Sequence, residues 1–87
     1  MKRRGWPDWW DWELELSPHL LKRMTHRRFT EIDLRRMLER ASGYREEFVE
    51  GRGIIETRHR GRAWNVIVEP DLVRQLLVVV TAYPVWE

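Results

Sequence analysis

Between Ser17 and Ala41 the apolar residues recur every three or four positions, and after Gly43 the period changes to two. That switch restricts the chain to helices followed by strands, an α+β layer arrangement with helices on one face of a sheet. Eighty-seven residues leave room for one core, which buries about 60–65% of the unfolded surface. Residues 12–87 are read as a single domain and 1–11 as a tryptophan-rich N-terminal extension.

The local signals are sharp. Ser17 supplies an N-cap hydroxyl and Pro18 a first helical residue, so a helix begins there. Leu20, Leu21 and Met24 form its apolar stripe. His19, Lys22, Arg23 and His26 lie opposite, with Arg27 at the border. Thr30 with Asp33 three residues on marks a second start, and Glu31 suits the helix dipole. Leu34, Met37, Leu38 and Ala41 continue that helix toward Gly43, the expected C-cap.

Strands follow at 44–50, 54–59, 63–69 and 75–83, with a hairpin turn at Arg60-Gly61 and a break at Glu69-Pro70-Asp71. The last strand is apolar on both faces from Leu76 to Ala82, which predicts a central place in the sheet. Ahead of the helices, Trp12, Leu14 and Leu16 alternate with Asp11, Glu13 and Glu15 as in a short strand. The expected fold is two helices followed by three or four antiparallel strands.

Several function classes are excluded. Without cysteine there is no disulfide framework, thiolate zinc site or cysteine nucleophile. The three histidines, His19, His26 and His59, lack metal-ligand spacing, and no metal or cofactor is expected. Gly51-Arg52-Gly53 lacks the later glycine and helix of a phosphate-binding fingerprint. The longest apolar run, Leu76 to Val80, is five residues, against about 20 for a membrane span. Lys2, Arg3 and Arg4 are followed by charged, tryptophan-rich sequence rather than an apolar stretch, so a soluble cytoplasmic protein without a membrane is expected.

Charge is uneven along the chain. Residues 18–62 hold twelve bases, most of them arginine, against seven acids, while both flanks are net negative. Arginine suits phosphate because its planar fork donates bidentate hydrogen bonds. The plainer alternative is a salt-bridged surface.

Three clusters could carry chemistry. His19 and Arg23 share a helix side with His26, and a histidine beside an arginine can move protons and hold phosphate. Arg58, His59, Arg60 and Arg62 crowd the hairpin turn. Thr81 and Tyr83 share a face of the last strand, where hydroxyls can orient a phosphate or base and Tyr83 can stack. Trp64 reads as core. Trp6, Trp9 and Trp10 either cap the core, form a partner or homodimer interface, or stack on bases.

The runs SPHLLKRMTHRRFTEIDLRRMLE, ETRHRGRAWNVIVEPD and LLVVVTAYPV together resemble a bacterial domain-of-unknown-function family. That family is grouped with RelE- and BrnT-like toxins in the barnase–colicin–RelE class of ribonuclease folds. The resemblance spans roughly residues 12–86 and implies two N-terminal helices on a twisted antiparallel sheet of about four strands. It implies a metal-independent endoribonuclease of toxin type, acting on RNA, including ribosome-bound mRNA, and neutralised by a small antitoxin protein. The catalytic set would be His19, Arg23, Arg58 and Tyr83, with Arg27, His59, Arg60, Arg62 and Thr81 binding RNA. Arg60 would also hold phosphate, and His59 is a second candidate for the acid. The competing expectation is a non-catalytic RNA- or protein-binding module of the same fold.

Overall fold

A computed structural model describes residues 6–85. A 3-10 turn over Asp8–Asp11 leads into β1 (Glu13–Leu16), α1 (Pro18–Arg27) and α2 (Glu31–Glu39). Four further strands follow: β2 (Gly43–Glu46), β3 (Gly53–His59), β4 (Arg62–Asp71) and β5 (Leu76–Pro84). The five strands form one sheet in the order β1-β5-β4-β3-β2, with β1 parallel to β5 and every other pairing antiparallel.

This corrects the expected architecture in two respects. The sheet has five strands and is mixed, and the helices lie between β1 and β2 rather than ahead of all the strands. The alternation at Trp12–Leu16 announces a strand but not its partner, and the partner is more than sixty residues away: Leu14 is opposite Leu77 and Leu16 opposite Val79. The pairing covers the backbone edge of β5, which would otherwise be an exposed apolar strand. Ser17 fastens the junction, its backbone N–H donating to the Val79 carbonyl and its hydroxyl to the Val80 carbonyl.

The helix starts are as read. The Ser17 hydroxyl accepts from the Leu20 N–H, and Thr30 and Asp33 form a reciprocal capping box. The ends differ: α2 stops at Glu39 with Arg40 as its C-cap, and Gly43 opens β2. Leu21 falls outside the apolar stripe and is 52% exposed, because α1 buries only Leu20 fully, with Met24 half-buried behind it. β2 ends at Glu46 rather than running to 50, and β4 continues through Pro70. Pro70 is tolerated because it pairs with Leu77 on β5 beyond the start of β3, which needs no N–H from it.

One face of the sheet packs Ile55, Trp64, Val66, Val68, Leu77, Val79 and Ala82 against Leu20, Phe29, Leu34, Met37, Leu38 and Ala41 of the helical layer. Trp6, Trp9, Trp10 and Trp12 extend this core, half-buried. The Trp6 and Trp10 ring centroids lie 4.4 Å apart, and Trp9 meets Tyr44 edge-on at 5.5 Å. β5 is an interior strand, flanked by β1 and β4. Its register with β4 shifts between Ile67 and Val68, so that Val80 is an extra residue. Strict alternation from Val79 would turn Thr81 toward the helices. The bulge reverses that parity, sending Ala82 into the core and Thr81 and Tyr83 to the other face.

Candidate nucleic-acid interface

β3 turns into β4 through a two-residue loop, Arg60-Gly61, with φ of 52° and 77°. Two left-handed central residues match the right-handed twist of the flanking strands. Glycine adopts that conformation freely, whereas Arg60 is strained by about 1 kcal/mol. The reward is placement, because the turn lifts the Arg60 side chain beside α2. There it shares a cavity of about 250 Å³ with Asp33, Arg36, Met37, Arg40 and His59. A second cavity, of about 320 Å³, adjoins it and is lined by Arg27, His59, Arg60, Arg62 and Trp64. His59 and Arg60 form the wall between the two.

Five arginines therefore surround one histidine at the end of the sheet where β5 finishes. Arg27 is fixed by donating from Nη1 to the Ala82 carbonyl at 3.1 Å. His59 is 9% exposed and meets Trp64 edge-on at 5.4 Å, while Trp64 meets Phe29 at 5.4 Å. The His59 Nε2 is buried with no hydrogen-bond partner among the described residues. Burial holds the His59 pKa below its ordinary value, with the Arg60 and Arg40 charges acting the same way against Asp33. The imidazole is thus neutral at physiological pH, wedged beneath a cationic rim. Asp33 is held below the usual carboxylate range, chiefly by the Thr30 backbone N–H, with His59 and Arg60 contributing.

Four arginines elsewhere among the described residues are held by carboxylates. Arg35 pairs with Glu31, Arg45 with Glu56, Arg52 with Glu69, and Arg74 with both Asp71 and Glu15. Arg36, Arg40 and Arg60 make no side-chain hydrogen bond or ion pair among the described residues. Three guanidinium groups against the single carboxylate of Asp33 in a concave site concentrate positive potential, as an anion-binding surface requires.

The residues expected to act together divide between the two sides of the sheet. His19 and Arg23 lie on the exposed side of α1, the Arg23 Nε donating to the His19 Nε2 at 3.5 Å. Arg58 and Tyr83 occupy the face away from the helices, as their neighbours Thr57 and Ala82 point inward. Arg58 curls over its own turn, donating to the Gly61 carbonyl at 2.7 Å. The proposed RNA-binding group holds together better: Arg27, His59, Arg60 and Arg62 converge, while Thr81 lies on the other face with Tyr83. Trp6, Trp9 and Trp10 sit at the opposite side of the core, against one another and Tyr44.

Sequence reasoning missed Arg36 and Arg40. They stand one turn apart, Arg36 in the last turn of α2 and Arg40 at its C-cap, and that spacing was the available signal. No known protein family, curated protein or solved structure matches the chain.

Arg60→Gly is a direct probe of the turn. It is expected to stabilise the fold by up to about 1 kcal/mol, by relieving the left-handed arginine. The same change should weaken binding of a polyanion to the cleft. Urea denaturation and RNA titration of one preparation check both halves.

Proposed function

We propose that this chain is an RNA-binding module that grips the phosphate backbone of a single strand in the arginine cleft around His59. The observation that carries this reading is the contrast among the arginines. Arg35, Arg45, Arg52 and Arg74 are paired with carboxylates, whereas Arg36, Arg40 and Arg60 gather around one cavity with no ion pair among the described residues. The choice of RNA follows the sequence resemblance to RNA-cleaving toxins.

A second reading, a metal-independent endoribonuclease of toxin type held in check by a small antitoxin, is favoured by the His19–Arg23 contact. That pair offers a proton-transfer group beside a phosphate-binding one. Its proposed partners Arg58 and Tyr83 lie across the sheet, which is why binding without cleavage is the preferred reading.

The test uses single-stranded RNA titrated at several salt concentrations, beside an incubation of the protein with RNA and ribosomes in EDTA. Three to five phosphate contacts give a slope of log K against log salt of roughly −2 to −3.5. The expected outcome is salt-sensitive binding with the RNA left intact. Cleavage that His19→Ala abolishes would replace this reading with the ribonuclease one. Salt-independent binding or none would remove the cleft from consideration.

A further inference from the structure

The arginine cleft has a counterpart of opposite character at the far end of the sheet. β4 runs from Arg62 at the cleft to Asp71, ten residues and about 30 Å away. Beyond Asp71 the chain turns back into β5 at Leu76, and β2 turns into β3 between Glu46 and Gly53. Because Gly53 pairs with Val68, these two loops leave adjacent strands at the same end of the sheet. They lie side by side. Arg52 of one is paired with Glu69 at the base of the other at 3.0 Å, and Glu50 and Gly51 share a cavity of about 250 Å³ with Pro70.

Two properties of this end are unexplained by folding. Phe48 and Val49 on one loop and Leu72 and Val73 on the other are exposed, Phe48 and Val73 almost wholly. A lone apolar residue on a surface needs no reason, but four on neighbouring loops form a patch of the kind that marks an interaction. The uncommitted charges around it are acidic. Glu46 and Glu50 border the first loop, and Glu13, opposite Leu76, borders the second; all three are exposed and make no ion pair among the described residues. The bases here are committed, Arg45 to Glu56, Arg52 to Glu69, and Arg74 to Asp71 and Glu15. The cleft end is the inverse. Arg36, Arg40 and Arg60 carry uncommitted positive charge, with exposed Ile32 one turn ahead of Arg36 and exposed Val85 bonded to Ala63 beside Arg62.

We propose that the acidic, apolar loop end docks on the arginine cleft of a second copy of this chain, so that copies associate head to tail. Uncommitted charges of opposite sign on one molecule attract between copies when they cannot meet within one, and about 30 Å of sheet keeps these apart. Each end also brings exposed apolar side chains to bury against the other. A lipid surface fits less well, because anionic headgroups repel the three glutamates. A contact between unlike ends is not completed by two copies, and extends as a chain unless its rotation closes a ring. It covers the cleft. On the RNA-binding reading, on which this consequence alone rests, a bound strand and a second copy exclude one another.

The test follows the mass of the full chain by sedimentation from micromolar to millimolar concentration. At low salt the mean mass should rise with concentration above that of one chain. Near molar salt it should return to one chain, since the screening length falls from about 10 Å at 0.1 M to about 3 Å at 1 M. Glu46→Lys with Glu50→Lys, and separately Arg40→Glu with Arg60→Glu, should each remain single at low salt. An equal mixture of these two variants should associate again, because each supplies the end that the other lacks. All four positions are exposed, so thermal midpoints should stay those of the parent. Phe48→Ser, also at an exposed position, should weaken association of the parent about tenfold, as loss of an aromatic anchor does.

A chain that stays single at every concentration, association that survives near-molar salt or persists in either charge-reversed variant, or a mixture that stays single would each overturn the proposal. A single chain that binds phosphatidylcholine vesicles, or a lysine-rich amphipathic peptide, through Phe48 would overturn it too and assign the loop tips to that occupant. Adding a short RNA strand separates this inference from the RNA-binding reading. RNA that binds and disperses the copies supports the cleft as the receiving end, and RNA that binds while they remain associated overturns it. RNA that fails to bind removes the RNA reading, and the mass of the charge-reversed mixture then decides head-to-tail association by itself.

Discussion

Arg40→Glu combined with Arg60→Glu is expected to reduce affinity for single-stranded RNA by about a hundredfold or more at moderate salt. Both side chains are exposed at the rim of the cavity shared with His59, and neither is used to hold the fold together. Each reversal removes a cation that would displace a counterion from the strand and sets a carboxylate against phosphate instead. Two lost contacts should lower the salt slope by about 1.4, at roughly 0.7 per phosphate on a single strand. Arg74→Glu is the control, because Arg74 is bound to Asp71 and Glu15 beside the turn between β4 and β5, at the other end of the sheet. That variant should bind RNA as the parent does. An unchanged affinity and slope in the Arg40/Arg60 double variant, with an unchanged thermal midpoint, would mean that the strand is held elsewhere.

Trp64→Ala is expected to cost about 3–5 kcal/mol of stability. A domain of this length has roughly 4–13 kcal/mol in total, so the variant should be largely unfolded well below the parent's urea midpoint. The reason lies in the position of the ring. Trp64 is on β4, the middle strand, 6% exposed, and its indole stands edge-on to both Phe29 and His59. Its removal leaves a void spanning the α1–α2 connection and the sheet, where the main chain cannot collapse to fill it. Trp64→Phe, which keeps most of the ring, should cost much less, about 1–2 kcal/mol. The imidazole of His59 loses its packing partner in the alanine variant, so RNA affinity should fall in whatever fraction remains folded. A denaturation curve that moves by less than about 1 kcal/mol would show that the helical layer is not anchored on this ring.

The readable parts of the fold share a physical scale. Ser17-Pro18, the Thr30–Asp33 capping box and the Arg60-Gly61 turn each depend on interactions within a few residues, and each is found where the sequence puts it. The apolar positions Leu34, Met37, Leu38 and Ala41 are buried as a helical stripe, because their spacing alone defines a face. The ends of elements were less legible. Gly43 looked like a helix terminus, yet Arg40 already closes α2 and Gly43 starts a strand, since glycine serves either purpose.

Of the candidate site, His59, Arg60 and Arg62 were legible because a tight turn holds them close, although Arg58 of the same cluster faces the other side of the sheet. Arg36 and Arg40 were not, because an exposed arginine on a helix looks the same whether a carboxylate or open cleft stands opposite.

The sequence by itself determined the local vocabulary: two capped helices, a left-handed hairpin turn, and alternating strands with one apolar on both sides. Tertiary structure alone decided three further things. β1 pairs in parallel with β5, a contact fixed by burying Leu14 and Leu16 against a strand about sixty residues away. Val80 bulges, reversing which face Thr81 and Tyr83 occupy and separating them from His19 and Arg23. Arg27, Arg36 and Arg40, from two different helices, meet Arg60 and Arg62 around His59. Caps and turns are settled by neighbours along the chain, whereas pairing, parity and convergence are settled by which distant apolar surfaces must be buried together.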